Sequence, residues 1–202
     1  MGNFVGNQVS VEYAPLTVLT QGGAMPMAVV NVRDTTQFPA AGSFTIGLNT
    51  IAYTAKTATT FTGCTGGTTA VLANDRVVGT FVAFTAYLKE PAMSTKISTA
   101  DATHQNDTWK RFLPGMGEAS MKMTVMYEDL AFTLLPQVWL NTMKRKVVAW
   151  RLRERGVGVG FPELTFDAML TSLNEKYTAG NDVVAAETEL QVDGLPLYAA
   201  QV

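Results

Sequence analysis

Ala119-Ser120-Met121-Lys122-Met123-Thr124-Val125-Met126-Tyr127-Glu128 alternates almost without a break. Ala119, Met121, Met123, Val125 and Tyr127 share one parity, and Ser120, Lys122, Thr124, Met126 and Glu128 the other. A strand sends successive side chains to opposite faces, so this is a half-buried strand with one packed face and one mostly polar face. Immediately before it stands Trp109-Lys110-Arg111-Phe112-Leu113-Pro114-Gly115, an aromatic and basic elbow closed by Pro-Gly. The Ser/Thr/Asp-rich residues from Met93 to that elbow read as a long loop.

The same period of two recurs along the chain. Residues 164–170 set Leu164, Phe166, Ala168 and Leu170 against Thr165, Asp167 and Met169. Residues 182–193 set Val184, Ala186, Thr188, Leu190 and Val192 against Glu187, Glu189 and Gln191. Residues 147–153 place Val148, Trp150 and Leu152 on one side and Arg151 and Arg153 on the other. Shorter β-leaning pieces fall at 9–13, 16–19, 29–32 and 77–88. One helix is expected near 131–143, with Leu134, Leu135, Val138 and Met143 on one face, Pro136 in its first turn and Lys144-Arg145-Lys146 at its negative pole. The expected fold is all-β with one helix, a β-sandwich or a partly closed barrel.

Composition supports that class. Threonine occurs 27 times in 202 residues, while charged residues make up only 16%, below the usual quarter or so. Thr is β-branched and polar, which suits strands whose outer face meets water or another protein. Residues 35–70 hold twelve threonines and a single charge, Lys56. Their abrupt boundaries suggest a small Thr-rich β insertion at 35–75, set into a larger β-domain of 1–34 and 76–202. The insertion carries too little apolar surface to stand alone.

A net charge of −2 argues against a protein that grips nucleic acid along its backbone. No run of about 18 apolar residues is present, so no membrane helix is expected. The first residues show neither the signal-peptide pattern nor the full myristoylation pattern. Cys64 is the sole cysteine, so no intrachain disulfide can form, and folding in a cytoplasm is expected.

Few residues invite chemistry. His104, the only histidine, is the sole candidate base for a nucleophilic pair with Cys64, but the Thr/Gly surroundings of Cys64 offer nothing to lower its pKa. One His and one Cys cannot make a zinc site, and residues 101–107 lack the spacing of a calcium loop. Gly156-Val157-Gly158-Val159-Gly160 is not a dinucleotide fingerprint. Glu128-Asp129 suits helix capping better than acid–base work. No enzyme activity, cofactor or metal is expected.

The charge layout says more. Lys144, Arg145, Lys146, Arg151, Arg153 and Arg155 fall within twelve positions. From Glu163 onward seven acids stand against Lys176 alone, a local balance of −6. Such patches are either solvated faces or complementary surfaces between copies of one chain.

Residues 93–196 resemble the core of siphophage tail tube proteins. The matching pieces are Ser94-Thr95-Lys96-Ile97-Ser98-Thr99, the 108–115 elbow, the alternating 118–128 strand, the helix, and a last strand ending Asp193-Gly194-Leu195-Pro196. Residues 38–67 resemble small Thr-rich β modules of phage virion proteins. The resemblance implies stacked hexameric rings forming the tail tube in the virion, assembled in the host cytoplasm. It implies a lumen for the tape measure protein and passing DNA, without specific binding, and neighbours in the tail terminator and baseplate proteins. Trp109, Phe112, Leu113, Arg151 and Arg153 are the expected subunit interface. The alternatives are another virion protein (terminator, connector or decoration) and, from a different class, a carbohydrate-binding module, which would need exposed aromatic platforms.

Overall fold

A computed structural model of the chain describes residues 9–83, 88–103, 108–126, 146–153, 158–176 and 185–200. The expected helix at 131–143 and His104 lie outside the described residues. Among the described residues the elements are strands: β1 (Ser10–Ala14), β2 (Leu16–Val18), β3 (Val29–Asn31), β4 (Gly42–Ile46), β5 (Asn49–Tyr53), β6 (Ala55–Lys56), β7 (Thr60–Thr62), β8 (Thr65–Gly66), β9 (Arg76–Gly79), β10 (Val82–Ala83), β11 (Leu88–Asp101), β12 (Phe112–Met126), β13 (Val148–Arg153), β14 (Pro162–Lys176) and β15 (Ala185–Ala200). The class is all-β, as expected. No sheet among the described residues closes into a barrel, consistent with a sandwich-like arrangement.

The chain divides into two compact units. The first comprises Met1–Phe84, Lys146–Thr165 and Tyr198–Val202, the second Thr85–Arg145 and Phe166–Leu197. In the first unit β1 lies between β10 and β13, and β14 starts beside β13. Val148, Trp150 and Leu152 are buried on β13, while Arg151 and Arg153 take the other side, as their alternation requires.

The rest of the first unit is a lobe of two small sheets, ordered β2-β9-β4-β5-β8 and β3-β7-β6. They pack around Leu19, Val30, Val32, Phe38, Phe44, Ile46, Ile51, Tyr53, Phe61, Cys64, Val71 and Val77. Four aromatics lie at its centre. Phe61 lies 4.6 Å from Tyr53, 4.7 Å from Phe44 and 5.0 Å from Phe38 between ring centroids, and each such pair adds about 0.5–1.5 kcal/mol beyond burial. This lobe draws β2, β3 and β9, with Leu19, Val30, Val32 and Val77, from outside residues 35–75. Segment 35–75 therefore completes its core by pairing with its flanks.

Two polar side chains organise the loops of the lobe. Buried Asn49 accepts the N–H groups of Thr68 and Thr69, both at 2.9 Å, and donates to the Thr69 carbonyl at 2.8 Å. The Lys56 ammonium donates to the carbonyls of Thr35, at 2.7 Å, and Phe38. Buried backbone polar groups must find partners, and these two side chains supply them where no strand does.

In the second unit the order runs from β14 through β15 and β12 to β11. The alternation holds: Met121, Met123, Phe166, Ala168, Leu170, Leu190 and Val192 are buried. Thr188 is buried with them, its hydroxyl donating to the Met123 carbonyl at 3.1 Å.

The Ser/Thr/Asp-rich stretch from Met93 is not a loop: it belongs to β11, which pairs with β12 out to Asp101↔Phe112. Nor is Pro114-Gly115 an elbow. β12 runs through it, and the pairing shifts from Ile97↔Gly117 to Thr99↔Pro114, leaving an extra residue on β12. Such a bulge tolerates a proline, which has no N–H for the ladder. The Ser98 hydroxyl pins it by donating to the Met116 carbonyl at 3.0 Å.

Candidate functional site

The outer half of the β11/β12 hairpin is the most unusual surface of the second unit. β12 pairs with β15 only from Met126↔Ala185 to Ser120↔Gln191. Beyond that point β12 keeps β11 alone as a partner among the described residues. Every residue from 94 to 101 is exposed, as are Leu113 and residues 115–118. A two-stranded ribbon wetted on both faces is marginal in water. This one also exposes Ile97, Leu113, Trp109 and Met116, the last two at 84% each. Trp109 and Leu113 thus lie in the open. Phe112 is placed by register alone, opposite Asp101. Asp101 accepts from the Thr103 hydroxyl and, at 2.9 Å, from the Thr103 N–H; these bonds hold its carboxyl below the ordinary range.

Arg151 and Arg153 are differently employed. Glu12 on β1 sits opposite Arg151 in register and is only 6% exposed. Its Oε2 accepts from Arg151 Nε at 2.6 Å and from a second Arg151 nitrogen; its Oε1 accepts from Arg153 Nη1 at 2.8 Å. Glu163 Oε2 accepts from Arg153 Nε at 2.9 Å and lies 3.9 Å from Arg151 Nε. The Arg151 guanidinium stacks 4.0 Å from the Phe81 ring centroid. Two cations and two anions thus neutralise one another within the first unit. Lys146 is likewise engaged, donating to Asp34 and to the Thr36 hydroxyl. Burial alone would raise the Asp34 carboxyl, but the bonds from Lys146 and Thr36, with the Lys146 charge, outweigh it and hold it below the ordinary range.

The remaining features offer little chemistry. Cys64 is buried in the lobe core, and that burial pushes its thiol up, away from the reactive thiolate. Among the described residues no group of three or more His, Cys, Asp or Glu could hold a metal ion. An open cleft of about 560 Å³ in the first unit is rimmed by Thr45, Asn74, Asp75, Arg76 and Phe81, but its floor residue Trp150 is fully buried and offers no stacking face. A smaller dip of about 210 Å³ in the second unit is lined by Lys122, Ser172, Asn174, Glu187 and Glu189. Among the described residues no helix is long and apolar enough to cross a membrane.

Sequence reasoning missed Glu12, Ile97, Met116, Leu195 and Leu197. Register pairs Glu12 with Arg151, and no spacing rule brings together residues 139 positions apart. The two ribbon residues carry no signal either, because exposure of an apolar side chain depends on what fails to cover it.

The sequence matches no protein-family model and none of the curated proteins. Solved structures resemble it in part. One is from the virion of a native gene transfer agent particle (17% identity, TM-score 0.49, covering 59% of this chain and 89% of that one). Another is from the tail of an empty gene transfer agent particle refined with C6 symmetry (18%, 0.47, 57% and 84%). A third is from the baseplate of the anti-feeding prophage (8%, 0.45, 60% and 85%).

Proposed function

We propose that the protein is a structural subunit of a phage-type tail, polymerising as stacked hexameric rings into a tail tube. The observation that carries this reading is the outer β11/β12 ribbon, solvated on both faces and exposing Ile97, Trp109, Leu113 and Met116. Large apolar side chains on an unsupported ribbon gain little in a lone chain and become an anchor when a neighbour covers them. The resemblance of residues 93–196 to siphophage tail tube proteins supports the tail tube form of that reading. In this proposal the lumen passes DNA and the tape measure protein, the tube ends meet terminator and baseplate proteins, and segment 35–75 is an addition to the ring-forming chain. The interface is the ribbon, with Trp109, Phe112 and Leu113. Arg151 and Arg153 act indirectly, by stiffening the first unit.

Electron microscopy of the purified protein at high concentration tests this. Tubes or stacked rings are expected. Single rings would indicate a terminator or connector, trimers a decoration protein, and monomers at every concentration would overturn the proposal.

A further inference from the structure

The lobe of the first unit closes on itself. Its strands β2–β9 pair with one another in two sheets, and none of them enters the sheet that holds β1, β10 and β13. Every residue of its buried core lies between Leu19 and Val77. The side-chain bonds of Thr35, Asn49, Tyr53 and Lys56 to backbone carbonyls are internal to it as well. Residues 35–75 alone carry too little apolar surface for a core. The flanks supply the rest with Leu19, Val30, Val32 and Val77, each 1% exposed or less. Many domains of about 55–65 residues fold alone, and residues 16–79 are of that size.

The two ends of the lobe lie side by side. Leu16 pairs with Val78, and the Gly79 N–H donates to the Pro15 carbonyl at 2.8 Å. Gly79 allows this approach, since an added Cβ would stand 3.1 Å from the Pro15 ring and 3.2 Å from Phe38. Beyond the join the chain runs into a second antiparallel pair, β1 with β10, at Tyr13↔Val82 and Glu12↔Ala83. β1 and β10 are therefore the arms of a hairpin whose turn is the whole lobe. The ion pair of Lys146 with Asp34 tethers the lobe across that join.

We infer that residues 16–79 are a separately folding domain inserted in the β1–β10 turn. An insertion whose ends lie together leaves the surrounding ladder intact. Resting on the tail-subunit reading above, the assembly surface then lies wholly in the remainder of the chain, and each subunit carries the lobe as an appended domain.

The chain holds reporters for both parts. Cys64, the sole cysteine, is buried in the lobe core, and Trp109, Trp139 and Trp150, the three tryptophans, lie outside residues 16–79. A buried thiol is alkylated only when its surroundings open. Iodoacetamide labelling of Cys64 in the full chain thus reads the lobe, and tryptophan fluorescence reads the rest. In urea, Asn49→Ala is expected to lower the Cys64 midpoint and leave the tryptophan midpoint in place, and Glu12→Gln to do the reverse. Midpoints that move together under either substitution would overturn the inference. Replacing Pro15–Thr80 by Asn-Gly, a two-residue hairpin turn, keeps Tyr13 opposite Val82 and retains Phe81, which covers Arg151. Electron microscopy is expected to show this shortened chain assembling as the full chain does. A full chain that forms rings or tubes beside a shortened one that does not would make the lobe part of the assembly surface and overturn the inference. A full chain that stays monomeric would overturn the tail-subunit reading alone, and the two urea midpoints would still decide whether the lobe folds separately.

Discussion

Replacing Glu12 by Gln tests the charge cluster most directly. Glu12 is 6% exposed and receives hydrogen bonds from both Arg151 and Arg153. Without its charge, two guanidinium groups share the one carboxylate of Glu163, which is 2.9 Å from Arg153 but 3.9 Å from Arg151. Removing one member of a buried, hydrogen-bonded set of charges costs about 3–5 kcal/mol, because its partners stay buried and uncompensated. Glu163 and the Phe81 ring shield part of the excess, so the lower end, about 3 kcal/mol, is the expected loss. Urea denaturation of the isolated chain would show it as a lowered midpoint with an unchanged slope. Combining Glu12→Gln with Arg151→Met rebalances the charges and should recover part of the loss. A loss below about 1 kcal/mol, or a double variant less stable than the sum of the singles, would refute the view that these four charges act as one neutral unit.

Asn49→Ala should cost about 2–3 kcal/mol in the same assay, since buried Asn49 makes three hydrogen bonds to the backbone of Thr68 and Thr69. Gly66→Ala should destabilise the lobe by about 1–3 kcal/mol, because Gly66 sits at φ +97° and an added Cβ would meet the Thr50 carbonyl oxygen at 2.6 Å. The depressed Asp34 carboxyl makes a stabilising contribution that is full above its unfolded value of 3.8 and lost as pH falls below that, through its folded value. Since Asp34 is about a third exposed, the effect should stay under about 1 kcal/mol, and Asp34→Asn should flatten the acid limb of a pH–stability curve below pH 4.

The alternation from Ala119 to Met126, from Leu164 to Leu170 and around Leu190 was legible in the sequence, and so was the all-β class. Side-chain direction along a strand is a local property with a period of two, and burying one face amplifies it. The threonine density of 35–75 was equally visible. Where the folded lobe begins and ends was not: β2, β3 and β9 belong to it through pairing, and pairing links residues that sequence separates. Composition marks where the chain changes character, whereas a sheet is bounded by its edges. The same reason hid the roles of Arg151 and Arg153. A run of basic residues looks identical whether solvent, a second copy or Glu12 neutralises it. Only the register of β1 on β13 brings that carboxylate within 2.6–2.8 Å of both guanidinium groups. The ribbon reverses the case. Its Ser and Thr residues read as a loop, and the long ladder with β12 made them a strand, because β-branched side chains accept an extended backbone whenever a partner edge is present.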